Sequence, residues 1–233
     1  RLDLPAIAAA IGPRTVALLL MQPVNPTGLL HDETELRALA QLLREAPAPP
    51  LLISDESHRE VRWGPEPFVS PARFWERTCV IHSFGKSLRL QGQRIGYVAV
   101  PPAMPERAEY IDTLETLCRV MGFGTPTALM QLALGDLLEH VPDWSALQSR
   151  RATAIEALRA GGYEVVPSQA TFFLYPRSPD ADDWAHAERL AQRGVLVLPA
   201  PVFHHRGHFR IALTCTDSMF DRAVTVLAQG DAA

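Results

Sequence analysis

Short unbroken apolar runs alternate with segments of helical period along the first half of the chain. Residues 16–21 and 51–53 are continuous apolar runs of strand length, and residues 79–82 and 95–100 add two more. A run without alternation is what a parallel strand covered on both faces looks like. Between the first two runs, Asp32-Glu33-Thr34-Glu35 carries a helix start: Asp32 can cap, Glu35 holds the capping-box position, and Leu36, Leu39, Ala40 and Leu43 make one apolar face. Pro47, Pro49 and Pro50 end that helix. The strand-helix-strand order, continued through residues 79–82 and 95–100, is a β-α-β grammar and predicts a mainly parallel sheet. Residues 1–12 read as the end of a helix closed by Gly12-Pro13. Residues 105–120 and 126–140 read as connecting helices, with Leu114, Leu117 and Cys118, then Leu129, Leu132 and Ala133, at helical spacing.

The pattern changes after about residue 140. Asp143 is placed to cap a long helix ending at Ala160, where Gly161-Gly162 supplies a stop. Residues 163–166, 171–175, 195–198 and 209–213 read as strands, and residues 181–193 and 217–228 as helices. The expected fold is therefore α/β: a mainly parallel sheet in residues 1–140, followed by a smaller α+β domain in residues 141–233.

Composition narrows the partners. An apolar fraction of 47% over 233 residues supports a substantial core. The net charge of −4 has no basic surplus, which argues against nucleic acid and against an anionic membrane surface. No apolar run approaches the roughly 20 residues that span a bilayer. The opening Arg1-Leu2-Asp3 has no export signal and no initiator Met, so further sequence upstream is expected. Cys79, Cys118 and Cys215 are far apart in apolar stretches and read as buried free thiols of a reducing cytoplasmic compartment. His204-His205-Arg206-Gly207-His208 lacks a supporting Cys or carboxylate pattern, so it reads as a loop into the next strand and no metal site is expected.

Candidate chemistry gathers at strand ends. Ser83, Lys86 and Arg94 bring a hydroxyl, an amine and a guanidinium to one turn. That set suits a phosphorylated carbonyl compound, because the amine can bond the carbonyl while Ser and Arg grip the phosphate; pyridoxal phosphate is the obvious candidate. A nucleotide-binding loop is rejected, since the position five before Gly85 is Val80 instead of glycine. Asn25 sits in the turn-rich segment after the first strand, where open α/β sheets bind ligands. Asp55 ends the second strand, and a carboxylate there needs a cationic partner such as a protonated pyridine nitrogen. Arg210, between Phe209 and Ile211, needs an anion, and a substrate carboxylate would supply a bidentate one.

Asn25-Pro26-Thr27-Gly28, Asp55-Glu56, Ser83 with Lys86 three positions on, Arg94 eight further, Gly96-Tyr97 and Arg210-Ile211 occur in one order. Together they resemble the class I/II aminotransferases of the fold-type I pyridoxal-phosphate enzymes. The resemblance implies that residues 1–140 are the later part of a large cofactor domain. It implies that Lys86 bonds the cofactor and then shuttles the proton, that Asp55 pairs with the pyridine nitrogen, and that Asn25 hydrogen-bonds the ring oxygen and adjoins the substrate. By the same resemblance Ser83 and Arg94 hold the phosphate and Arg210 binds the substrate's α-carboxylate. It also implies amino acid and 2-oxo acid substrates and a homodimer. The match covers about the later three-fifths of a family chain, without its N-terminal arm, its glycine-containing phosphate loop and its ring-stacking aromatic residue. His58 stands where the family usually has Tyr, as in some carbon–sulfur lyases of the fold. A β-lyase and a non-catalytic module of the same fold are the alternatives.

Overall fold

The computed structural model describes residues 1–139 and 142–230. The chain forms two compact units, one of residues 1–23, 30–60 and 65–142, the other of residues 24–29, 61–64 and 143–233. The expected boundary at residues 140/141 and the expected helix end at His140 lie outside the described residues.

In the first unit, helix α1 (Leu4–Ala10) starts at Asp3, whose carboxylate accepts from Ala6 N at 3.0 Å. The expected helix end is thus a complete short helix with its own cap. Strand β1 (Ala17–Met21) leads to helix α2 (Glu33–Arg44), where Asp32 and Glu35 form the reciprocal capping box. Leu36, Leu39, Ala40 and Leu43 of α2 pack with Leu20, Leu52 and Trp75. Burying such aliphatic side chains stabilises by about 1.5–3 kcal/mol each, so this face holds α2 to the sheet. Strands β2 (Leu51–Asp55) and β3 (Thr78–Ser83) follow, then the one-turn helix α3 (Phe84–Ser87) and strand β4 (Gly96–Ala99).

The sheet order is β1-β2-β3-β4. The first two pairings are parallel, with Met21 opposite Asp55 and Asp55 opposite Ile81, but β3 and β4 are antiparallel, with Ser83 opposite Gly96. The β-α-β reading of this last pair is corrected for a physical reason. Its connection holds only one α-helical turn and the 3₁₀ turn Gln91–Gln93, with no crossover helix to carry the chain back along the sheet. Helices α4 (Arg107–Val120) and α5 (Ala128–Leu138) form as expected, but α4 buries none of its residues. The thiols also depart from expectation: Cys79 is buried, Cys215 partly so, and Cys118 exposed.

The second unit comprises helix α6 (Ser145–Ala160), strand β5 (Phe173–Leu174), helix α7 (Asp183–Gln192), strands β6 (Leu198–Pro199) and β7 (Phe209–Ala212), and helix α8 (Asp217–Ala228). Trp144 occupies the cap position of α6, while Asp143 accepts from Ser145 N at 2.8 Å. The sheet order is β5-β7-β6, antiparallel throughout. Its strands are shorter than the apolar runs suggest: β5 and β6 hold two residues each, and Pro176, without an N–H for a ladder, follows shortly after β5. Residues 163–166 form no strand; Arg177 N bonds Glu164 O at 2.8 Å outside any ladder. The core of this unit includes Leu158, Leu174, Leu190, Phe209, Leu213 and Leu227. Helices α6 and α8 approach closely at Gly161, where a Cβ would fall 2.0 Å from Leu227 O. Two short segments from the first half of the sequence belong to this unit. Gly28 O accepts from Ala170 N at 2.9 Å, and Trp63 Nε1 donates to Thr171 O at 2.8 Å.

Candidate active site

Parallel strands leave their carboxyl ends at one edge of a sheet, and ligands of open α/β sheets bind there. In the first unit that edge carries Asp55 at the end of β2 and Ser83 at the end of β3. The strands are locked in register, since Glu56 N donates to Ile81 O at 2.9 Å. Asp55 is half-buried and its Oδ1 accepts from Ser57 N at 3.0 Å. That bond holds the carboxylate at the strand end and leaves Oδ2 as an acceptor. His58, three residues on, is buried.

Ser83 precedes α3 but its side chain does not cap it, so the hydroxyl is not spent on the helix. Lys86 follows on that single turn, half-buried. It is the only lysine of the 233 residues. Arg94 takes a left-handed backbone (φ 53°) that turns the chain from the 3₁₀ turn into β4, and its Nη1 donates to Gln91 O at 3.2 Å. A non-glycine residue in that region is uncommon and marks a constrained turn. Ser83, Gly85, Gln91, Arg94, Ile95 and Gly96 line an open recess of about 200 Å³. Gly85 keeps it clear: a Cβ there would come 3.3 Å from both Ser83 Oγ and Gln91 Cα.

Asn25 and Arg210 meet in the second unit, where Arg210 Nη1 donates to Asn25 Oδ1 at 2.9 Å. The sequence separates them by 185 residues. With its carbonyl on Arg210, Asn25 has only its amide nitrogen as a donor. The Arg210 guanidinium also lies over the rings of Phe173 and Phe203, at 4.2 and 4.9 Å from their centroids. Burial pulls its pKa below the ordinary arginine value. A flat guanidinium so held presents a fork for a carboxylate. The structure thus gathers the sequence-derived residues into two groups: Asp55, His58, Ser83, Lys86 and Arg94 in one unit, Asn25 and Arg210 in the other.

Sequence reasoning missed the polar cluster behind Asp55. Glu56 is 1% exposed, and its Oε1 accepts from Ser54 Oγ at 3.0 Å and Ser70 Oγ at 2.5 Å. Burial pushes the Glu56 carboxyl up, against the pull of those hydroxyls and of Arg59. Two adjacent acids at the end of an apolar strand were the available signal, but alternation puts only one of them on the ligand side.

The donor set fits a phosphorylated carbonyl cofactor. A hydroxyl and a guanidinium line a recess kept open by glycine, the one-turn helix beside it carries a primary amine, and a carboxylate stands at the neighbouring strand end.

This is the architecture and residue order of a pyridoxal-phosphate transferase fold. Residues 1–227 match the family "Aminotransferase class I and II", and the chain belongs to that family. Among its relatives, a probable aspartate/prephenate aminotransferase of Aquifex aeolicus is 30% identical over 93% of this chain and 57% of its own. The aspartate/prephenate aminotransferase of Thermus thermophilus is 32% identical over 97% and 59%. An amino transferase structure from Eubacterium rectale superposes with a TM-score of 0.89 at 25% identity, covering 98% of this chain and 58% of that one. The Thermus thermophilus aspartate aminotransferase tetra mutant gives 0.81 at 27%, covering 98% and 63%. The chain spans under three-fifths of the length of these two sequence relatives.

Proposed function

We propose that the protein is a pyridoxal-phosphate-dependent aminotransferase that moves an amino group between an amino acid and a 2-oxo acid. The observation that carries this reading is the sole lysine on the single helical turn after β3, a turn that follows Ser83 of the Ser83–Arg94 recess, with β3 paired to the strand that ends in Asp55. When bound, the cofactor supplies an electron sink for the carbanion left when an α-proton departs.

This chain's residues do the rest. Lys86 Nζ would hold the cofactor through its aldehyde and, when free, would be the base that moves the substrate's α-proton. Asp55 Oδ2 holds a proton on the pyridine nitrogen by ion pairing, which keeps the sink effective. Ser83 Oγ and the Arg94 guanidinium take the phosphate. Asn25 and His58 serve the ring oxygen as donors, and Arg210 takes the α-carboxylate in a fork. Relatives act on aspartate, prephenate, methionine and aromatic amino acids by name, which supports an amino acid substrate without selecting one.

We assign the protein to the cytoplasm and to a homodimer. An exposed free thiol at Cys118 suits a reducing compartment. The exposed apolar side chains of Val120, Met121, Phe123, Leu129 and Leu132 are the kind of surface a second copy covers. No described helix is long and apolar enough to cross a membrane.

The test is borohydride reduction with pyridoxal phosphate followed by peptide mapping. The expected outcome is one pyridoxyl group on Lys86. Label on the N-terminal amine alone, with Lys86 unmodified, refutes the reading.

A further inference from the structure

One guanidinium joins the strand end that carries Asp55 to β4, the strand paired with the one that leads into the Lys86 turn. Arg59 lies in the turn after β2 with its side chain 29% exposed, and its Nη1 is 3.6 Å from Glu56 Oε2. Its Nη2 donates to Tyr97 Oη at 3.0 Å, and its Nε donates to Glu60 Oε1 at 2.9 Å. Glu56 is the residue after Asp55, and it is fixed in depth by Ser54, Ser70 and its own amide on Ile81. Tyr97 is the partner of His82 across the antiparallel β3–β4 pair. Its ring lies 5.2 Å from that of His82 and 5.6 Å from that of Phe84, while His82 and Phe84 meet edge to face at 5.1 Å. Those two rings flank Ser83 on either side in sequence, and Phe84 opens the turn that carries Lys86.

We propose that Arg59 is a positioning residue: by tying Glu56 to the Tyr97 hydroxyl it fixes the Asp55 strand end against the Ser83–Lys86 turn. The inference rests on the reading of Asp55 and Lys86 given above. An arginine joined to Glu60 alone would be an ordinary surface pair of negligible worth. The second and third contacts change that. Glu56 is buried, so its charge is weakly screened, and Tyr97 has its ring packed on the two residues that bracket Ser83. A planar fork can span both partners; a lysine ammonium at the same place reaches one.

The experiment separates charge from geometry. Burial, and next the charge of Arg59, lower the His82 pKa, against Asp55, Glu60 and a hydrogen bond with the Glu56 backbone. In the purified protein, the His82 C2–H resonance and the dissociation constant for pyridoxal phosphate are followed in Arg59→Gln, Arg59→Lys and Tyr97→Phe. Arg59→Gln raises the His82 midpoint and weakens the cofactor about tenfold, the scale of one lost charge-assisted hydrogen bond. Arg59→Lys returns the His82 midpoint toward the parent value while the cofactor stays weakened. Tyr97→Phe keeps the charge and the ring, and still weakens the cofactor about threefold, the scale of one partly exposed hydrogen bond. Parent-like cofactor affinity in both Arg59→Lys and Tyr97→Phe overturns the inference while leaving Lys86 in its role. If the parent carries no label on Lys86, the functional reading fails and the positioning role fails with it.

Discussion

At the scale of single residues, the candidate residues of each unit keep groups that the described contacts leave uncommitted. Ser83 does not cap its helix, Asp55 spends one oxygen on Ser57, and Arg210 bonds Asn25 with one nitrogen while its face lies over two aromatic rings. Arg210→Lys keeps the charge and loses both the fork and the flat stacking surface. Amino acid affinity is expected to fall tenfold or more, on the order of one charge-assisted bond, while cofactor binding persists. Titration of the cofactor's visible absorption with amino acid measures both; unchanged amino acid affinity would remove Arg210 from the substrate site.

Among the elements, one exacting contact is made by a loop. Gly28 has φ +69°, and a Cβ there would lie 2.3 Å from Ala170 O and 2.5 Å from Ser168 Cβ. Both contacts belong to the second unit, where Gly28 O also receives the amides of Gln169 and Ala170. Gly28→Ala adds left-handed strain to overpacking, so a loss of about 2–4 kcal/mol is expected. Urea unfolding at constant slope measures it, and a loss below about 1 kcal/mol would mean that the loop moves aside freely.

For the molecule as a whole, two buried imidazoles set an acid limit. Burial lowers the pKa of His31 and of His82 from 6.5. Among the described residues, His82 Nδ1 has no hydrogen-bond partner. Below 6.5 the unfolded chain binds protons that the folded chain resists, so this contribution is complete above 6.5 and is lost as pH falls through the lowered folded values. Glu56 runs the other way: its raised pKa gives a contribution complete below 4.5 that is lost as pH rises. Thermal midpoints should therefore decline as pH drops from neutrality below 6.5, and His82→Phe, which keeps a ring among Phe84 and Tyr97, should flatten that decline. An equal slope in parent and variant would show that His82 does not titrate with unfolding.

What the sequence determined by itself was whatever depends on near neighbours. The capping box at Asp32 and Glu35, the buried face of α2, the strand runs of the first unit, the stop at Gly161 and the span of α8 follow from local spacing, because caps and periodicity act within a turn or two. The order of the motif residues likewise carried the family. Tertiary structure decided three further things. It set the direction of β4, since an apolar run of strand length fits either orientation and only the brevity of its connection chooses. It assigned residues 24–29 and 61–64 to the second unit, through backbone bonds to residues 169–171 that no periodicity encodes. Last, it joined Arg59, Glu56 and Tyr97, and likewise Asn25 and Arg210, because a charge at a strand end leaves its partner unspecified until the chain has closed on itself.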